Sequence, residues 1–209
     1  MSEARARPAN WFIPHPPSRV HPNLHLDRTV PRLFLGLDLP DPIDFDLQLL
    51  AGGVPGARWQ QVDQLHLTLH FLDEVDGGSM RRLIAALGEL QAPAFTMQLR
   101  GAGMFPPRGQ PRTLWVGIAE ADPVRLLHQR SARIIDDLGI DREHRKFQPH
   151  VTVARLGRTS SREAMAWVTG HMLYSCEPFV VDRVLLYSSV LASKGARYQV
   201  EAEFLLDSP

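Results

Sequence analysis

The chain has 209 residues, 44% of them hydrophobic and 22% charged, with Lys plus Arg and Asp plus Glu both at 23. This balance excludes a long-range field drawing the protein to duplex nucleic acid or an acidic membrane, so a polyanionic partner has to be met by local charge. The one cysteine, Cys176, excludes an internal disulfide and suits a reducing, cytoplasmic compartment, and no apolar run approaches the roughly 18 residues that span a bilayer.

Residues 1–30 are broken by Pro8, Pro14, Pro16, Pro17 and Pro22 and hold no apolar stretch long enough for a signal peptide. They read as a Pro-rich extension that either drapes along the domain through Trp11, Phe12 and Ile13 or stays disordered. His15, His21 and His25 read as scattered exposed residues rather than a metal site. From residue 31 the pattern predicts a strand over 32–38, a helix from Asp41 to about Leu50 and a short strand at 58–62. A strand over 65–71 follows, then a helix from about Ser79 to Leu90 with Leu83, Ile84, Leu87 and Leu90 on one stripe. A strand over 94–100 alternates through Phe95, Met97 and Leu99. Gly101 to Arg112, with three Gly and three Pro, reads as a loop. A strand over 113–118, a helix from Asp122 to about Leu138 and a strand over 149–155 come next. A helix opened by a Ser160-x-x-Glu163 capping box and strands near 179–190 and 196–205 complete the chain. The elements lack a regular βαβ rhythm, which argues for α+β with antiparallel or mixed sheets in two lobes.

Within this pattern one unit occurs twice. His66-Leu67-Thr68-Leu69 and His150-Val151-Thr152-Val153 lie 84 positions apart, and Gly36-x4-Asp41-Pro42 returns 81 positions later as Gly117-x4-Asp122-Pro123. In both copies the Asp is placed to cap a helix that begins with Pro. Two copies of strand, Asp-Pro helix, loop and His-x-Thr strand describe a duplicated, pseudo-twofold domain covering 31–209. On an alternating strand Leu65, Leu67, Leu69 and Phe71 share an apolar face, and His66 and Thr68 share the other, roughly 6 to 7 Å apart. By the same alternation Arg155 faces away from His150.

Two such strands turned toward one cleft supply two imidazoles and two hydroxyls. Phosphodiester cleavage needs that set: a neutral imidazole to take a proton, an imidazolium to give one, and donors for the non-bridging oxygens. An ordinary pKa of about 6.5 lets the two rings carry different charges near neutrality. A metal site is disfavoured, because His66 and His70 on one strand would stand about 13 Å apart. No Gly-x-Ser-x-Gly elbow supports a serine hydrolase, and Cys176 reads as a buried small hydrophobe.

The segments Pro31 to Pro40, His66 to Leu72, Pro111 to Gly117 and Phe147 to Leu156, with Tyr187-Ser-Ser and Gly195-Ala-Arg-Tyr198, resemble the 2H phosphoesterases of the LigT/ThpR type. The resemblance implies a bilobal α+β fold with two sheets lining a central cleft and helices outside, working as a monomer without cofactor or metal. It implies hydrolysis of 2′,3′-cyclic phosphate ends of RNA or of small nucleotides to the 2′-phosphate. The alternatives are 2′-5′ RNA ligation and non-catalytic binding of terminal RNA phosphates. By motif match His66 and His150 are the acid/base pair, with His150 favoured as base, and Thr68, Thr152 and Arg155 hold the phosphate. Phe105 and Tyr198 are candidates for stacking on a base, and Arg108, Arg112, Arg145 and Lys146 for local positive charge. Asp73 stands where the family commonly has Gly, and the Pro-rich extension lies outside the family pattern.

Overall fold

The computed structural model describes residues 30–192 and 195–207. The extension up to residue 29, including Trp11, Phe12, Ile13 and the three histidines read there as exposed, lies outside the described residues. The elements run β1 (Arg32–Leu37), α1 (Asp41–Gln48), β2 (Arg58–Trp59), β3 (Leu67–Glu74), α2 (Gly77–Leu87), β4 (Phe95–Met97), β5 (Leu99–Phe105), β6 (Thr113–Ile118) and α3 (Asp122–Asp137). Then come β7 (Val151–Arg155), α4 (Ser161–His171), β8 (Phe179–Val181), β9 (Arg183–Ala192) and β10 (Gly195–Leu205).

The order β10-β9-β1-β3-β7-β6-β5 makes a large antiparallel sheet, with β2 added on β7 and β4 paired with β8 in a small second sheet. The duplication is visible in it. β1 and β3 of one half correspond to β6 and β7 of the other, and the two half-sheets meet where Leu67 pairs with Val151. Strands with apolar residues on alternate positions bury one face under the helices. Leu33, Leu35, Leu37 and Leu67 from one half and Leu114, Val116 and Val151 from the other form one core with Leu83, Leu87 and Ile135 of α2 and α3. Phe34, Leu185 and Tyr187 are buried on the opposite face as a separate cluster, with Tyr198 against it.

The helix starts differ in one detail from the sequence reading. The N-caps are Pro40 and Ala121, so Asp41 and Asp122 occupy the first helical position and no side chain caps either helix. Their carboxylates act on the helix dipole instead, favourable at an N-terminus. The Ser160–Glu163 capping box forms as expected, with reciprocal bonds.

The larger correction concerns Gly101 to Arg112. β5 runs through Phe105, so the first half of this segment is strand. Gly101, at φ +71°, forms a bulge against β6, and the bare backbone of Gly103 lies under the Trp115 ring. A Cβ on Gly103 would come within 2.2 Å of that ring. Gly103→Ala should therefore push Trp115 off its seat, lowering stability by about 1–3 kcal/mol and also lowering turnover, checked by thermal unfolding and kcat/KM. Unchanged values for both would show that Trp115 has room to move.

Candidate active site

Each catalytic candidate sits at the start of a central strand. Leu67 opposite Val151 puts His66 across from Thr152 and Thr68 across from His150 when the antiparallel register is continued one step either way. With Leu67 and Val151 fully buried, these four side chains project from the other face of the sheet, and all four are half-buried.

The two rings are held alike. His66 Nδ1 lies 2.9 Å from the Gln64 carbonyl, and His150 Nδ1 lies 2.7 Å from the Gln148 carbonyl. A carbonyl only accepts, so each Nδ1 carries hydrogen and each Nε2 is the free nitrogen. Gln64 is itself anchored, donating from its amide to the Ala196 carbonyl at 2.9 Å and accepting from the Gln61 N–H. The sequence reading passed over these glutamines, although both motifs read Gln-x-His-x-Thr and the repeat was open to view.

Aromatic rings wall each imidazole. Phe34, Tyr198 and Tyr187 surround His66 at centroid distances of 4.8, 5.1 and 6.0 Å. Phe105 and Trp115 surround His150 at 5.0 and 6.1 Å. Tyr198 and Phe105 thus each stand edge-on to one of these imidazoles, Phe105 from the end of β5 rather than from a loop. Such walls strip water from the imidazoles. Burial pushes His66 down to about 4 and lowers His150, in each case against the Nδ1 hydrogen bond and with the positive charge of Arg155 adding to the effect.

Arg155 therefore belongs to this face, contrary to simple alternation. β6 pairs Trp115 with Thr152 and Leu114 with Ala154, which leaves Val153 as an extra residue. Val153 and Ala154 are both buried, and Arg155 re-emerges on the side of His150. β3 carries the same bulge. Gly36 pairs with Thr68 and Leu35 with His70, leaving Leu69 extra.

The consequence for β3 is a second correction. His70 is 2% exposed and faces the core, where its Nε2 lies 3.0 Å from both the His128 carbonyl and Ser131 Oγ, while Phe71 moves to the cleft face and is 44% exposed. His66 and His70 thus lie on opposite faces of the sheet and cannot share an ion. Cys176 is buried, with its sulfur accepting from the Leu99 N–H at 3.3 Å. Arg145 borders the cleft pocket, whereas Arg108, Arg112 and Lys146 are simply exposed. Asp73 is the one non-glycine among the described residues at positive φ, +54°, and its carboxylate is held by Arg32 at 2.7 Å. A glycine would adopt that turn without strain.

This face of the sheet can bind a phosphate and move two protons. No described helix is long and apolar enough to cross a membrane. Curated relatives match over most of the chain. The Archaeoglobus fulgidus protein named RNA 2′,3′-cyclic phosphodiesterase is 30% identical over 80% of this chain and 96% of its own length. The Escherichia coli protein of the same name is 29% identical over 80% of this chain and 92% of its own. Among solved structures, the Thermus thermophilus protein TT0787 superposes with a TM-score of 0.70 at 26% identity, covering 83% of this chain and 97% of that one. E. coli LigT complexed with 3′-AMP gives a TM-score of 0.69 at 27% identity, over 84% and 98%. The model of the LigT like phosphoesterases matches twice, over residues 37–115 and 116–198, each match spanning one half of the duplication. With both halves matched, the chain belongs to the LigT like phosphoesterase family.

Proposed function

We propose that the protein hydrolyses the 2′,3′-cyclic phosphate of RNA ends or small nucleotides, releasing the 2′-phosphate. The observation that carries this reading is the matched pair of imidazoles, each with Nδ1 fixed by a backbone carbonyl and Nε2 free, set across from two threonine hydroxyls. In this reading the phosphate lies between the two motifs. His150 takes a proton from the attacking water, the new P–O bond forms, and the P–O3′ bond breaks as His66, entering as imidazolium, protonates O3′. This assignment of base and acid is carried over from the family resemblance. Thr68, Thr152 and Arg155 hold the non-bridging oxygens as negative charge develops on them.

The test is incubation with a 2′,3′-cyclic mononucleotide in the presence of a chelator, followed by phosphorus NMR against 2′- and 3′-monophosphate standards. The expected product is the 2′-phosphate. Predominant 3′-phosphate would reverse the leaving group and displace His66 from its role, and binding without turnover would make the protein a phosphate-end binder.

The threonines are tested by Thr68→Val and Thr152→Val, which keep the β-branched shape and delete the donor. Each should lose on the order of 10- to 10³-fold, mainly in kcat, because the hydrogen bond strengthens as charge builds in the transition state. Unchanged kinetics in both variants would reduce the hydroxyls to strand formers.

A further inference from the structure

The pseudo-twofold relation is broken on the cleft face at a pair of equivalent positions beyond the histidines. The matching bulges at Leu69 and Val153 bring the residue five places after each catalytic histidine to the cleft face, and there one half presents Phe71 and the other Arg155. Both line a single pocket of about 600 Å³ that also includes Phe34 and Tyr198, the rings that touch His66. The pocket is therefore an extension of the active cleft on one side. Its volume lies in the range of small-molecule sites.

Phe71 is one ring further out than the walls of the catalytic pair. Its centroid lies 6.0 Å from Phe34, which in turn lies 4.8 Å from His66. Phe34 itself is 2% exposed and Tyr198 is half-buried, so the ring most open to a ligand here is Phe71 at 44%. The segment between α3 and β7 closes the far side, with the Glu143 N–H donating to the Phe71 carbonyl at 3.0 Å and Arg145 at the rim beside Glu143. Four arginines and three carboxylates line the whole, a mixture suited to a phosphodiester with ribose hydroxyls beside it.

We infer that this pocket is the seat of the nucleotide immediately upstream of the one carrying the cyclic phosphate, with its base stacked on Phe71, so that the enzyme prefers oligoribonucleotide ends over free cyclic mononucleotides. The inference rests on the cyclic phosphodiesterase reading. A base on an aromatic face contributes about 1–3 kcal/mol, which corresponds to about 5- to 140-fold in kcat/KM.

The experiment compares a dinucleotide ending in a 2′,3′-cyclic phosphate with the corresponding cyclic mononucleotide, using the wild-type chain, Phe71→Ala and Phe71→Tyr. The wild type should favour the dinucleotide by that factor, Phe71→Ala should erase the preference while leaving mononucleotide turnover unchanged, and Phe71→Tyr should restore it. Mononucleotide turnover in each preparation shows that the variant is folded. Equal turnover of the two substrates by the wild type, or an equal loss on both in Phe71→Ala, would overturn the inference while leaving the phosphodiesterase reading intact. Failure of the wild type on both substrates would overturn that reading, and this inference with it.

Discussion

Replacing either His66 or His150 by Ala should remove about 10²- to 10⁴-fold of the turnover of a cyclic phosphate, the contribution typical of one positioned proton-transfer group. Both rings are partly exposed on one side and neither belongs to the main core, so the variants should keep the wild-type circular dichroism and unfolding midpoint. Because the proposed step uses both rings, the double variant should lose much less than the product of the single losses. The measurement is kcat/KM for the two singles and the double, with folding monitored in parallel. A single variant with near-wild-type activity would end the two-histidine account.

Arg155→Gln should cost about 10²- to 10³-fold, comparable to removing a preorganised donor from a developing oxyanion, and it carries a second signature in pH. Burial is the larger cause that holds both histidines below 6.5, and the Arg155 charge adds to it. The free enzyme is competent while one proton remains on the pair. As pH rises through the depressed histidine values that proton is lost, so kcat/KM of the wild type should already be falling below pH 6.5. Removing the arginine charge raises both histidine values, so what activity remains in Arg155→Gln should have its alkaline limb at higher pH. A large loss with an unmoved limb would place Arg155 far from the imidazoles in the working enzyme.

The distance between sequence and structure is concentrated at two residues. Alternation identifies the faces of Leu65 to Leu69 and of Val151 to Val153, and the capping box locates α4, because these signals are local and involve only neighbouring side chains. The repeated frame identifies the halves of the molecule before any strand pairing is known. Leu69 and Val153 are different in kind. Nothing in a leucine or a valine marks it as the extra residue of a bulge, which is set by how the partner strand is registered. One uncounted residue inverts everything after it. Alternation alone therefore puts His70 on the polar face when it is buried, and puts Phe71 and Arg155 on the core side when they line the cleft. Gly101 and Gly103 mislead in the opposite direction, since a glycine that permits a bulge or makes room for an indole is indistinguishable by composition from one that ends a strand.

The exchange of Phe71 for Arg155 across the pseudo-twofold axis also bears on how such a molecule is assembled. Two identical half-length chains related by true rotation would be obliged to offer the same residue at both positions, giving either two stacking rings and no charge or two charges and no ring. A polymer with a direction could then lie in the cleft either way round with equal energy. Carrying both halves on one polypeptide removes the obligation at this pair while leaving the histidines and threonines matched, so the paired motifs stay alike while the surface beside them does not.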